Sequence, residues 1–293
     1  MTNTRIILIF TSFLLFLNGC SKRASLIQCA CKDSTTQAGQ AYKESLWRSY
    51  SAKAIELYKH GEIDEAIKAG KQALNYAKKE FGGNDLRYAT SLNNIAEFYR
   101  LKGKYGDAES NYNKSLSIRE KVLGKEHPEV ALLLNNLATS YFLQKRYEKA
   151  ESLYLRAQSI IEKSVGKNHS SLETLYTNIG EFYKVQGKYN MAEPYLKGLV
   201  VIQEKKGKED PLYAKALNDL AALYFLESKY DDAKPLFENS LSILEKKLGK
   251  NSQEVAVVLE NMAEVYKKLG DENKAKELSQ RVNEIRTPNQ QHG

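Results

Sequence analysis

Between Leu92 and Tyr99 the apolar residues Leu92, Ile95, Ala96 and Tyr99 are spaced i, i+3, i+4 and i+7, with Asn93, Asn94 and Glu97 set between them. That spacing is one face of an α-helix. Gly103-Lys104-Tyr105 breaks the pattern. A second helix is predicted from about Tyr105, carrying Ala108, Tyr112, Leu116 and Val122 and ending at Leu123-Gly124, where glycine supplies a left-handed cap. The pair reads as a helical hairpin. The small Ala96 and Ala108 let the two helices approach, and Tyr99 and Tyr112 fill the space beside them.

The hairpin recurs. Its first-helix tyrosine returns as Tyr99, Tyr141, Tyr183, Tyr224 and Tyr266, and its second-helix alanine as Ala66, Ala108, Ala150, Ala192, Ala233 and Ala275, so both markers step by 42 or 41 residues. A fixed period of this size signals stacked helix pairs, none of which can bury its apolar face alone.

The repeated residues resemble the tetratricopeptide repeat, whose usual unit is about 34 residues. The unit here is about two helical turns longer. Its Leu-Asn-Asn-Leu-Ala core (Leu134 to Ala138), its Gly-Lys-Tyr turn and the link Leu123-Gly124-Lys125-Glu126-His127-Pro128-Glu129-Val130-Ala131 are similar to the repeats of the kinesin light chain. The likeness runs over about residues 84–278, with a weaker first repeat from about residue 42. The expected fold is therefore all-α, a right-handed α-solenoid of about six hairpins spanning 41–287, before a polar tail at 288–293.

The outer repeats depart from the pattern as caps should. Helical spacing starts near Gln40, with Trp47, Tyr50, Ala54 and Leu57 on one face, and Ser51-Ala52 stand where later repeats have Asn-Asn. The last repeat has Ser279 in place of the second-helix aromatic. Inside the array the turn becomes Lys145-Arg146-Tyr147 and Ser228-Lys229-Tyr230 in two repeats, and Gly180 replaces the alanine that pivots the first helix.

Residues 1–19 differ in kind. Arg5 precedes a nearly unbroken apolar run from Ile6 to Leu17, too short to span a bilayer comfortably, which reads as a secretory signal. Leu17-Asn18-Gly19-Cys20 resembles a bacterial lipobox, which implies that Cys20 is acylated and begins the mature protein. Two or more acyl chains would hold the protein stably on a membrane. Ser21 after that cysteine, by resemblance to proteobacterial lipoproteins, implies the periplasmic face of the outer membrane rather than the inner membrane. Residues 20–40 then read as a flexible tether. Within it Cys29 and Cys31 are open to several roles: idle thiols, an intermolecular bridge or part of a metal site.

Charge changes this picture little. The formal net charge is +8, with Lys and Glu interspersed, and no aromatic-basic cluster points to nucleic acid. No phosphate loop, nucleophile elbow or zinc spacing occurs, so no enzyme, cofactor, metal or small-molecule substrate is expected. His127 and His169 lie one period apart, too far for shared ligation, and are expected to act locally at helix starts.

The candidate binding residues come from one register. Asn94, Asn136, Asn178, Asp219 and Asn261 form one row, and Asn93, Asn135, Thr177, Asn218 and Glu260 precede them. Asparagine is a poor interior helix residue, so its return needs a compensating role. One reading follows from resemblance: kinesin light chain repeats carry matching asparagines on the concave surface, which implies that these carboxamides grip an extended peptide by its backbone. The other is that they tie neighbouring helices together. Beside the row, Phe142 and Phe225 are candidate anchors for apolar ligand side chains. The expected function is a membrane-tethered module that binds a partner protein or extended peptide in its groove. The alternative is a structural subunit of a cell-envelope assembly, using the convex face and helix ends.

Overall fold

The computed structural model describes residues 36–287. The expected signal and lipobox-like stretch with Cys20, the pair Cys29 and Cys31 and the tail from 288 lie outside the described residues. Among the described residues the architecture is all-α, an α-solenoid of six hairpins without strands. The helices are α1 (Gln37–Lys59), α2 (Ile63–Phe81), α3 (Leu86–Leu101), α4 (Tyr105–Leu123), α5 (Pro128–Leu143), α6 (Tyr147–Val165), α7 (Glu173–Val185), α8 (Tyr189–Lys206), α9 (Pro211–Leu226), α10 (Tyr230–Leu248), α11 (Gln253–Lys268) and α12 (Glu272–Arg286). A single 3-10 turn, Ser170–Leu172, leads into α7. Two compact units divide between Ile118 and Arg119.

From the second hairpin on, the chain entering each first helix, or the 3-10 turn ahead of α7, is capped by a side chain at the same register. Asp85, His127, His169, Asp210 and Ser252 each accept a hydrogen bond from a backbone N–H two or three residues on, at 2.7 to 3.3 Å. This satisfies one of the donors that a helix start leaves unpaired. His127 and His169 thus act through Nδ1 as local caps. Thr36 does the same for α1, so that helix begins three residues ahead of Gln40.

The hairpin turn needs a left-handed residue, and the period supplies one at Gly61, Gly103, Gly187 and Gly270, with φ from 72° to 83°. Lys145 and Ser228 hold the same conformation at φ 58° and 61° without glycine's freedom. The glycines that end the second helices differ from the expected left-handed cap. Gly82, Gly166 and Gly249 pair φ of 85° to 91° with ψ of 157° to 168°, a region that only glycine enters readily. That conformation turns the chain out toward the next cap.

In the first unit Ala54, Ala66, Ile67, Ala69 and Phe98 form one buried cluster, and Ala89, Leu92 and Ile118 another. Ala96, Ala108 and Tyr112 are fully buried as the period predicts. Val122, expected on the packed face, is 47% exposed, and Ile118 fills that role a turn earlier. Tyr50 is likewise 37% exposed, resting against Tyr76 at the outer edge of the first hairpin. In the second unit one continuous core joins α9 to α12, with Phe237, Leu259, Met262 and Leu278 at its centre.

Two corrections to the regular hairpin sit together in the fourth repeat. Tyr176 stands in the register of Leu92, Leu134, Leu217 and Leu259, and its ring occupies the space that a Cβ on Gly198 would need, at 2.6 Å. The larger ring and the missing side chain compensate each other.

Candidate partner-binding surface

The asparagine register lies on the first helix of each hairpin. In the second unit, Asn178 Nδ2 donates to Asn135 Oδ1 at 2.9 Å and lies 3.5 Å from Thr139 Oγ1. Two repeats on, Asn261 Nδ2 donates to Asn218 Oδ1 at 3.0 Å. Each is a bond between the first helices of adjacent repeats, so these four carboxamides tie the stack. Asn135 is also buried. In the first unit Asn93 Nδ2 reaches its neighbour Asn94 Oδ1 at 3.5 Å, a long contact within one helix. Asn136 is half-buried on the same register. A carboxamide has two donors and two acceptor lone pairs, so one tie leaves capacity for a ligand.

The two phenylalanines are half-buried and packed. Phe142 meets Phe182 edge-on at 5.6 Å and Tyr147 at 6.3 Å. Phe225 lies 5.5 Å from Tyr230. Both rings brace the turn of their own hairpin, Phe142 also reaches the next hairpin through Phe182, and part of each remains open to solvent.

The register beside the row changes character from repeat to repeat. In the second repeat Glu97 accepts from Tyr112 Oη at 2.6 Å and from Arg100 Nε at 3.0 Å. Burial alone would raise the Glu97 carboxyl, but the Arg100 and Tyr112 hydrogen bonds outweigh it and hold the group below its ordinary value. In the third repeat the equivalent pair is Thr139 and Tyr154, 3.0 Å apart and uncharged.

Asp219 breaks the row's chemistry. It occupies an asparagine register, its carboxyl is pushed up by burial against the opposing pull of Lys215 and Lys184, and it lines two clefts. One, of about 250 Å³, lies between α7 and α9 with Gln203 and Leu199 of α8 at its floor. The other, of about 500 Å³, lies between α9 and α11 and is mostly aliphatic, with Leu212, Leu244, Leu248 and Val257 in its walls. Both clefts fall within the second unit, on the helices that carry the asparagines.

Sequence periodicity placed the asparagines correctly on a helix face, but it missed the tyrosine ladder. Tyr183, Tyr224 and Tyr266 donate through Oη to Glu151, Glu193 and Glu238 of the preceding hairpin, at 2.8 to 3.0 Å. Lysines stand over the same rings, Lys188 over Tyr183 at 5.9 Å and Lys229 over Tyr224 at 5.5 Å. The recurring Glu one residue after Ala150 and Ala192 was the available signal.

The tetratricopeptide repeat signature matches residues 48–121, 87–163, 170–246 and 212–287, which together cover most of the chain. The chain belongs to the tetratricopeptide repeat family. No curated protein matches it. Among solved structures, this tetratricopeptide repeat chain is similar to BtubC (BKLC) from P. vanneervenii, at 22% identity over 79% of this chain and 93% of that one, with a TM-score of 0.69. It is similar to PilW, a widely conserved type IV pilus biogenesis factor, at 19% identity over 84% and 96%, TM-score 0.62. For pilF of Pseudomonas aeruginosa the values are 18% identity over 85% and 95%, TM-score 0.58. At these identities the likeness is one of fold. Among the described residues no helix is long and apolar enough to cross a membrane, and no cluster of His, Cys, Asp and Glu is arranged to hold a metal.

Proposed function

We propose that this tetratricopeptide repeat protein is a non-catalytic interaction module that holds an extended segment of a partner protein along its first helices, tethered to the periplasmic face of the outer membrane by acyl chains on Cys20. The observation that carries the binding reading is the run of polar, half-buried carboxamides on α5, α7, α9 and α11, flanked by two clefts on the same helices. Backbone-directed carboxamides suit an extended ligand, and the clefts between them suit its side chains. The lipobox-like Leu17-Asn18-Gly19-Cys20 supports the tether.

A structural subunit of an envelope assembly is the second reading. An exposed aliphatic residue ends successive first helices of the second unit, at Leu143, Val185 and Leu226, and such helix ends could dock on a fixed neighbour. PilW and pilF, similar in fold, are the kind of protein this reading has in mind.

Asn94→Ala separates the two uses of the asparagines when set against Asn135→Ala. The first removes a carboxamide whose contact is a long one within its own helix, and should weaken partner binding with a nearly unchanged melting temperature; the second should cost about 1 kcal/mol of stability through loss of the Asn178 bond. A strongly destabilised Asn94→Ala that still binds would make the whole row structural. Labelling cells with a fatty-acid analogue tests the tether, which predicts incorporation that Cys20→Ser abolishes.

A further inference from the structure

The smaller cleft of the second unit carries a mismatch of donors and acceptors. Gln203 is 5% exposed. Its Nε2 donates to Glu173 Oε2 at 3.1 Å, which fixes the orientation of the amide, since a carboxylate can only accept. Its Oε1 is then buried without a hydrogen-bond partner while the side chain lines the cleft. An orphaned buried acceptor is costly, so it calls for a donor from outside.

Asp219 faces the same cleft from α9. Its carboxylate receives only a long contact from Asn218 Nδ2 at 3.5 Å, and no Lys or Arg of the described residues lies within ion-pair distance of it. Glu173, in contrast, is already served by Lys206 at 2.5 Å and by Gln203. The cleft thus offers one unsatisfied neutral acceptor and one desolvated carboxylate, with Thr174, Thr177 and Leu199 alongside. Lys215 stands exposed at the rim.

We propose that this cleft is a side-chain pocket for a basic residue, with Asp219 and Gln203 Oε1 receiving the N–H donors of a lysine ammonium or arginine guanidinium of the bound segment. A long aliphatic stem would lie along Leu199 and Leu212, and the cationic head would reach both acceptors. The array thereby gains selectivity that backbone-directed asparagines cannot supply. Asp219 is the one acidic member of a row that is otherwise asparagine, so the preference belongs to this repeat. The inference deepens the groove reading given above and rests on it for the bound segment, while the pocket itself can be tested alone.

The test is NMR titration of the isotopically labelled protein with N-acetyl-lysine N-methylamide, and with N-acetyl-norleucine N-methylamide as the uncharged probe of similar length. The expected result is a saturable shift of the Gln203 side-chain amide and of backbone amides around Asp219 with the lysine probe alone. Asp219→Asn, which restores the residue found in four other repeats and so should fold, is expected to weaken that binding about tenfold, the factor of one charge-assisted hydrogen bond. Gln203→Met should weaken it as well. No saturable shift, as when Lys215 already serves Asp219, would overturn the proposal, as would equal response to norleucine or undiminished binding in Asp219→Asn. If the pocket binds the lysine probe and extended peptides still fail to bind the protein, the groove reading alone falls.

Discussion

At the scale of single residues, several positions depart from the repeat and each departure has a measurable consequence. Lys145 and Ser228 carry a left-handed backbone that costs an L-residue about 1–2 kcal/mol relative to glycine, partly offset by glycine's greater freedom when unfolded. Lys145→Gly and Ser228→Gly should each therefore stabilise by roughly 0.5–1 kcal/mol in urea unfolding. Gly198→Ala should do the opposite, destabilising by about 1–3 kcal/mol because the new methyl meets the Tyr176 ring. Adding Tyr176→Leu, the residue of the other repeats, should recover much of that loss, a coupling that a double-mutant cycle reads directly. Asp219 sets a pH signature. Its folded pKa is raised by burial, so the protonated form is the one the fold favours, and its contribution is fully present only below the ordinary aspartate value of 3.8. Asp219→Asn should accordingly raise the melting temperature at pH 7, with the difference vanishing on acidification.

At the scale of elements, the hairpins were legible because two periods agree: 3.6 residues within each helix and about 42 between hairpins. Some helix limits were legible too, at His127 and His169 before first helices and at Gly124 after a second one, whereas Asp85, Asp210 and Ser252 emerged as caps of the same register only in the structure. What the pattern could not tell was the direction of a given side chain once repeats stack. Tyr112 and Tyr183 both look like fillers beside a small residue; Tyr112 fills its own hairpin, whereas Tyr183 reaches back to Glu151 of the previous one. Val122 misleads for a similar reason, because a helix end allows an apolar residue to drift off the packed stripe without penalty. The asparagines were found by register, yet their partners were not. A bond such as Asn178 to Asn135 joins residues 43 apart, and only the stacking geometry brings them together.

At the scale of the whole molecule, stability rests on interfaces between repeats, so a ladder that recurs at Tyr183, Tyr224 and Tyr266 of the second unit should be felt cooperatively. Tyr266 is pushed up to about 12 by burial and by Glu238, and Tyr183 and Tyr224 are raised in the same direction by burial and their glutamates. Because the neutral phenol is the folded form, this stabilisation is complete below the ordinary value of 10 and is lost as pH rises through the folded values. The wild type should thus lose melting temperature between pH 9.5 and 12 more steeply than a Tyr183, Tyr224 and Tyr266 to Phe triple variant, whose remaining decline reports the other groups. The central claim concerns which surface meets the partner. A photocrosslinking residue placed at Glu181, next to the asparagine row on α7, and in a separate variant at Leu155, exposed on the second helix α6, would answer it in the native cell. The account predicts a discrete crosslinked partner from position 181 and none from 155; a partner captured from 155 alone would contradict it and make the outer helices the working face.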